Sequence, residues 1–346
     1  MTEAQPTTKN VRIDIMRAIG IILMVLGHSH CPGTYYIYLF HMALFFIISG
    51  YCYKTSHTDT AKGLGIYILK KIKRFYIPFI VFNALLVIID HFLFDRGLRL
   101  KDFIILFLNS LGMNQGSTLS GAFWFLKVML LLLITYGIID YLIKKIPHFR
   151  TKTLLVHSII AVIFLGMGYL CQLKGRVLFG FDKVLSYYIL FHLGRLFKEK
   201  IHIELNHIKR ILVIVISAAI LIICRRFGEI DLDINQYVNP GFLLITSTAG
   251  WFLVYEISYY LARPKWLQKF MTIIGTNTMA IMVFHFLCFK LITYIQIQIY
   301  DLQASAISAF PVLYNLPFWW IAYTFVGLFI PLGLSLLYKR LIPRRR

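Results

Sequence analysis

Two residues that could do chemistry, Arg17 and His28, lie eleven positions apart in the first apolar segment. On an α-helix that spacing is three turns plus about 20°, so both side chains would share one face, about 16 Å apart along the axis. Charged and imidazole groups are costly inside a membrane helix, and they indicate a substrate pathway or a reaction site. The plainer alternative is an Asp14–Arg17 ion pair at the water boundary, with His28 capping the far end.

The elements that position these residues are predicted to be membrane helices. Hydrophobic residues make up 59% of the 346-residue chain and charged residues only 15%, which is unlike a soluble protein. We therefore predict an all-α integral membrane protein, a bundle of about ten transmembrane helices. The apolar runs cover residues 13–31, 35–53, 75–94, 121–143, 153–171, 183–197, 209–224, 239–261, 272–294 and 316–337. A further apolar stretch, 103–111, is too short to span and is expected to be re-entrant or interfacial.

The basic residues predict an orientation. A net charge of +21 would indicate a nucleic-acid partner in a soluble protein, but here the Lys and Arg follow a membrane pattern, so no nucleic acid is expected. With the N-terminus in the cytoplasm, 24 of the 36 Lys and Arg fall at cytoplasmic ends, eight in outer loops and four within spans. This bias and the even number of spans place both termini in the cytoplasm.

One domain is expected over residues 1–346, because no hydrophilic stretch is long enough for a soluble domain. Residues 1–12 would form a cytoplasmic tail, and the basic tail 338–346 would meet anionic membrane lipids. The five cysteines lack a CxxC spacing and the histidines lack an HExxH spacing, so no metal site is expected. The oligomeric state stays open.

The polar residues within the spans sort by predicted depth. Fixed cations, among them Arg17, Lys71 and Arg74, lie towards the cytoplasm, and imidazoles such as His28 and His41 lie towards the outside. Fixed cations suit phosphate, and imidazole suits proton transfer near neutral pH. The arrangement fits a phosphate-bearing donor that enters from the inside and reacts further out.

These polar residues also have plainer explanations. The basic run 70–74 fits a positive-inside anchor, and His41 and His285 fit interfacial histidines with satisfied hydrogen bonds. Lys127 is harder to explain in this way, because it lies about a quarter of the way into its predicted span.

Several motifs resemble the acyltransferase-3 superfamily of bacterial membrane acyltransferases, in particular its fucose 4-O-acetylase and capsular polysaccharide O-acetyltransferase branch. The segment DIMRAIGIILMVLGH is similar to the family's Arg-x10-His element, with Arg17 and His28 in the two positions. FHMALFFIISGY resembles the family's FHMPLFFFISGY-type segment, and LKKIKRFYIP resembles its Arg-x-x-Arg element before a proline. In that element Lys71 keeps the first charge without the bidentate fork, and Arg74 holds the second position. AFWFL and IGTNTMAIMVFH resemble later spans.

The resemblance implies an O-acyltransferase, most often an O-acetyltransferase, of the bacterial inner membrane. It implies transfer from cytoplasmic acyl-coenzyme A, typically acetyl-coenzyme A, to a hydroxyl of an envelope carbohydrate or lipid-linked glycan, as in polysaccharide biosynthesis. Arg17, Lys71 and Arg74 would hold the donor phosphates. His28 would act as general base or accept the acyl group itself, and Asp14 would orient Arg17.

The substrate is expected to meet further polar and aromatic side chains at similar depth on other spans. They are His41, Trp124, Lys127 and His285. The polar outer loop 229–239 either touches a glycan or is simply solvated.

Two other classes of function stay open, and the intramembrane charges fit the first of them as well. One is a transporter or flippase of a lipid-linked sugar or small solute, which would move its substrate without chemistry. The other is a membrane sensor or assembly partner, which would not need so many ionisable groups inside its spans.

Overall fold

The computed structural model describes residues 11–94, 97–201, 205–313 and 317–341, and α-helices dominate them. The α-helices are, in order, α1 (Val11–His28), α2 (Thr34–Tyr38), α3 (His41–Tyr51), α4 (Ala61–Lys71), α5 (Ile77–Phe94), α6 (Leu100–Leu111), α7 (Trp124–Lys145), α8 (Thr153–Leu173), α9 (Phe181–Lys200), α10 (His207–Cys224), α11 (Pro240–Leu261), α12 (Lys265–Gly275), α13 (Thr278–Ile299) and α14 (Trp319–Leu341). Two short antiparallel strands, β1 (Ile230–Asp231) and β2 (Gln236–Tyr237), form a hairpin. The predicted all-α class is confirmed.

Within the described residues, 8 helical segments are long and apolar enough to cross a bilayer, and each overlaps a predicted span. Helices α1 and α9 occupy the other two predicted positions but are more charged, with Asp14 and Arg17 in α1 and Asp182 and Arg195 in α9. The chain is a multi-pass membrane protein. The count of ten spans and the cytoplasmic termini stay predictions.

The outward faces of several helices are apolar, as a bilayer requires. On α10 the side chains of Ile211, Leu212 and Val215 are exposed, whereas Ser217 is buried. Helices α8 and α14 also expose large apolar side chains. Water would penalise so much exposed apolar surface and lipid does not, so the pattern indicates contact with hydrocarbon.

Glycines let the helices around α1 approach closely. Where α3 crosses α9, a β-carbon on Gly50 would lie 1.7 Å from the Phe191 carbonyl oxygen, and one on Gly194 would meet an α3 carbonyl oxygen at 1.9 Å. Gly275 ends α12 against α1, where a β-carbon would lie 1.8 Å from the Asp14 carbonyl oxygen. Only glycine permits such backbone contacts. The first two contacts pack α3 against α9, and the third packs α12 against α1, the helix that carries Arg17 and His28.

The third span differs from its prediction. The sequence predicts a loop over residues 54–74 and a span from residue 75, but helix already begins at Ala61 and continues to Phe94. The basic run 70–74 therefore lies on a continuous helical segment and not in a loop. Its side chains are held in a defined direction by the helix backbone.

A π-helical turn, Ile72–Tyr76, joins α4 to α5, and in it the Ile77 N–H donates to the Ile72 carbonyl. The cause is Pro78, two residues after the end of the π-turn. Because proline has no N–H, the α-helical hydrogen bond from residue 78 to the Arg74 carbonyl cannot form. The π-turn absorbs this irregularity and changes the direction in which the basic side chains leave the helix.

The remaining expected pieces lie at the periphery. Residues 103–111 belong to α6, a 12-residue helix beside α5 that is too short to span and exposes Ile104, Ile105 and Leu108. At the chain ends, α1 includes Val11 and Arg12, and α14 includes residues 338–341. The rest of the two expected tails lies outside the described residues.

Candidate active site

A cavity of about 1150 Å³ is lined by residues of α1, α3, α4, α7, the π-turn and the hairpin. Apolar and aromatic side chains such as Met24, Phe45 and Phe125 line part of its wall. Arg17 and His28 both line it, so the shared face predicted from their spacing is the face that α1 turns to the cavity. The volume suits a sizeable small molecule.

His28 forms a pair with His285 of α13. His28 Nδ1 lies 2.9 Å from His285 Nε2. The two rings have an interplanar angle of 13° and centroids 5.1 Å apart, which places them edge to edge, as an in-plane N–H···N bond requires. Phe286 packs against both rings, with centroids 4.7 Å from His28 and 4.0 Å from His285. Phe286 therefore restricts the orientation of both rings.

The backbone of α13 determines which nitrogen of each ring carries the proton. His285 Nδ1 lies 2.8 Å from the Met282 carbonyl oxygen and 3.2 Å from that of Ile281, and a carbonyl only accepts, so this nitrogen is the donor. In the neutral ring His285 Nε2 must then accept from His28 Nδ1–H. His28 Nε2 is left with its lone pair, and no described residue hydrogen-bonds to it. The arrangement leaves a base at the cavity wall.

A cluster of cations lines the same cavity. Arg17 donates from its NH1 to Asp14 Oδ1 at 3.0 Å, which is the predicted i,i+3 pair, and from its NH2 to Cys52 Sγ at 3.4 Å. The other cations lining the wall are Lys54, Lys70, Lys71, Lys73 and Arg74. Among the ion pairs of the described residues, none joins Lys71 or Arg74 to a carboxylate. Their uncompensated charge suits an anionic ligand such as a phosphate.

A family model for an acyltransferase domain matches residues 10–336, which include every residue of the cavity wall. The chain belongs to the acyltransferase-3 family. It is a multi-pass membrane acyltransferase, as its motifs predicted. No curated protein and no solved structure matches the chain.

The acyltransferase cavity includes some of the predicted substrate-binding residues and leaves out others. His41 and Trp124 line it. His285 lies behind His28 and is fully buried, so it contacts the base and not the cavity. Lys127 is turned away: its Nζ donates to Asn114 Oδ1 at 3.0 Å and lies 3.5 Å from the Phe179 ring centroid. No group of three or more His, Cys, Asp or Glu among the described residues is arranged to hold a metal ion.

The acyltransferase also has a hairpin that the sequence did not show. The outer loop 229–239 was expected either to touch a glycan or to be simply solvated; within it residues 230–237 form the hairpin, and Asp231 and Asp233 line the cavity. Lys183 lies 3.7 Å from Asp233, whose pKa is raised by burial. The alternation of apolar and acidic residues in IDLD was the available signal, because Ile230 and Leu232 are buried whereas Asp231 and Asp233 are only partly buried.

A second polar cluster, which we call the Asp140 network, lies away from the cavity between α7, α8 and α9. Asp140 accepts from His157 Nε2 at 3.0 Å and from Arg195 NH1 at 2.9 Å, and Lys144 Nζ lies 3.0 Å from its other oxygen. Asp140, His157 and Arg195 are buried, and none lines the cavity. Their hydrogen bonds connect α7, α8 and α9.

The Asp140 network reaches the cavity through the 3₁₀ turn Thr55–Thr58. Thr58 Oγ1 donates to Asp140, and Lys144 Nζ donates to the Thr55 carbonyl oxygen at 2.6 Å. This turn carries His57 to the cavity wall. Burial, followed by the charges of the nearby lysines, lowers the pKa of His57. Both effects disfavour the protonated form of His57 beside the cation cluster.

Proposed function

We propose that this acyltransferase is an O-acetyltransferase that moves an acyl group, most often acetyl, from acyl-coenzyme A to a hydroxyl of an envelope carbohydrate or lipid-linked glycan. The observation that carries the proposal is the position of His28. Its unprotonated Nε2 stands at the wall of one cavity that also holds the cation cluster and the hairpin aspartates. A base between two chemically different walls fits a reaction with two substrates.

The donor argument rests on the cation cluster. Coenzyme A carries its phosphates at one end and its thioester at the other, joined by an arm comparable with the roughly 16 Å between Arg17 and His28. Arg17, Lys71 and Arg74 would bind the phosphates, and the apolar part of the cavity wall would contact the arm. Arg74 offers the bidentate fork that Lys71 lacks.

In the transfer step, His28 Nε2 takes the proton of the acceptor hydroxyl while the hydroxyl oxygen attacks the thioester carbonyl carbon. The new C–O bond forms, the C–S bond breaks, and His28 returns the proton to the coenzyme A thiolate. In the covalent alternative Nε2 attacks the carbonyl first and carries the acyl group to the hydroxyl. Both routes need an unprotonated Nε2, which the bond to His285 maintains.

The proposed orientation follows the basic residues. The asymmetry of 24 against eight supports a cytoplasmic position for the cation cluster, which in the proposed bacterial inner membrane is the side where acyl-coenzyme A is made. Single cysteines introduced at 225–238 should then react with an impermeant thiol reagent applied from outside, whereas cysteines at 54–74 should not. The opposite labelling pattern would contradict the donor side.

The function is tested by mass analysis of envelope glycans from cells that contain the protein, lack it, or carry His28→Ala at the same membrane level. We expect acylated glycan only with the wild-type protein. A transporter or flippase would change the amount of glycan and leave its acyl content unchanged. Equal acylation in all three cell types would contradict the proposal.

A further inference from the structure

The hairpin is built into the membrane domain. Leu232, between the two aspartates, is 5% exposed, and its carbonyl accepts from Tyr187 OH of α9 at 2.6 Å. Tyr237 OH hydrogen-bonds Ser186 Oγ at 3.0 Å, and its carbonyl accepts from Gln172 Nε2 at 2.7 Å. Leu232, which follows β1, is thus bonded to α9, and Tyr237 of β2 is bonded to both α8 and α9, so the hairpin is anchored at two points over the cavity.

The cavity side of the hairpin presents acceptors. Asp231 Oδ1 accepts from the backbone N–H of Asp233 at 3.0 Å, an Asx turn that orients the Asp231 carboxylate. Lys183 lies near Asp233, and no ion pair of the described residues involves Asp231. Ionised carboxylates only accept hydrogen bonds, with about four lone-pair positions each. Capacity therefore remains for donors that come from a ligand.

His41 supplies an independent observation of the same kind. It is 3% exposed and lines the cavity. Its Nδ1 lies 2.9 Å from the Ile37 carbonyl oxygen and must donate, so Nε2 is an acceptor in the neutral ring. Of the described residues, none donates to this nitrogen. A buried acceptor at a cavity wall without a protein partner indicates a donor group on the ligand.

We propose that Asp231, Asp233 and His41 form the acceptor subsite and select an uncharged polyhydroxylated sugar over an acidic one. The inference rests on the proposed function. Sugar hydroxyls donate to all three side chains, whereas a uronic acid or phosphate would place a like charge beside two carboxylates. The two aspartates thereby give the cavity an acidic wall, opposite in charge to the cation cluster that would take the donor.

The test uses the purified full-length protein, labelled acetyl-coenzyme A, and two oligosaccharides of equal length, one neutral and one containing uronic acids. Wild type should favour the neutral acceptor at least about tenfold in kcat/KM. The double variant Asp231→Asn with Asp233→Asn should lower kcat/KM for the neutral acceptor about tenfold. The ratio of kcat/KM between the neutral and the acidic acceptor should therefore decrease. The KM of the double variant for the donor, and its acceptor-independent donor hydrolysis, should be unchanged.

Glu229→Gln is the matched control, because this residue of the same loop has a side chain 64% exposed, pairs with Arg225 and does not line the cavity. It should behave as wild type. A double variant that keeps the wild-type preference for the neutral acceptor would overturn the subsite. So would a double variant whose KM for the donor changes as much as its kcat/KM for the acceptor. Either result would leave the proposed function standing. Wild-type protein that acylates neither oligosaccharide would contradict the proposed function as well.

Discussion

The His28–His285 pair and the Asp140 network are two histidine groups in apolar helices with opposite hydrogen-bonding. In the network both nitrogens of His157 are engaged, by Tyr188 OH at 2.6 Å and Asp140 at 3.0 Å. His192 joins the network because Tyr136 OH bonds both Arg195 and His192. Both nitrogens of His192 are also engaged, by Tyr136 OH at 3.0 Å and Ser158 Oγ at 2.8 Å. His28 uses one nitrogen and leaves the other at the cavity wall.

This difference in hydrogen bonding distinguishes an intramembrane histidine that can react with a substrate from one that only holds helices together. An intramembrane histidine whose two nitrogens are satisfied by protein can fix helices together but has no lone pair for a substrate. A histidine with one nitrogen held and the other open has a defined tautomer and an available base. Burial and charge do not distinguish the two groups, because both contain buried polar side chains.

The largest expected effect is that of His28→Ala, which removes the open nitrogen. The rate of acyl transfer should fall by about 10²–10⁴-fold. The affinity for coenzyme A and the free energy of unfolding should stay near the wild-type values. The matched variant His192→Gln alters the Asp140 network and should keep wild-type activity per folded molecule. Transfer from labelled acyl-coenzyme A by purified protein measures both. Equal losses of activity in His28→Ala and His192→Gln would contradict the distinction between the reactive histidine pair and the structural network.

Asp140→Asn should lower the stability of the protein and spare its activity, which is the reverse of the effect expected of His28→Ala. It leaves Arg195 and Lys144 without their buried carboxylate, so the free energy of unfolding should fall by about 3–5 kcal/mol. Denaturant unfolding in detergent micelles measures the loss, and His28→Ala serves as the control with little change. Activity per folded molecule should persist. An inactive Asp140→Asn protein of wild-type stability would give the network a chemical role.

Arg74→Ala tests the cation cluster that would serve the base. Loss of charge-assisted bonds worth roughly 1.5–3 kcal/mol should raise the apparent KM for acyl-coenzyme A about 10- to 150-fold. Arg17→Ala should act similarly and Lys71→Ala more weakly, and Arg74→Lys should recover part of the loss. Lys62→Ala, on the same helical segment but away from the cavity wall, is the control. Wild-type donor kinetics in Arg74→Ala would exclude a phosphate contact there.

The smallest effect is expected from His285, which acts on the substrate only through His28. His285→Phe should lower kcat about five- to tenfold without changing the donor KM, because one neutral hydrogen bond is lost. His285→Gln offers a side-chain oxygen to His28 Nδ1–H and should restore part of kcat. The pH dependence of kcat gives a second readout. His285 determines which nitrogen of His28 carries the proton, so its loss should change the pH profile of the base. No rescue by Gln would indicate that His285 only fills space.

What could be predicted from the sequence is the geometry within one helix. The shared face of Arg17 and His28 and the Asp14–Arg17 pair depend on helical periodicity, and the structure has both. The placement of Lys127 depends on the rotation of α7 against its neighbours: its depth in the predicted span suggested a substrate contact, and its side chain bonds Asn114 and does not line the cavity. His285 was chosen by depth, which placed it near His28 without showing that it bonds to it.

The sequence by itself determined the membrane class, the positions of most helices, the family, and the cation and imidazole on one face of α1. These follow from composition and from contacts a few residues apart, where backbone geometry leaves little choice. The tertiary structure alone decided that His285, 257 residues away, holds His28. It also decided that His157 and His192 are fully satisfied and that the loop aspartates fold back over the cavity. Such pairings depend on which helices meet and how each is rotated, and packing between distant segments sets both.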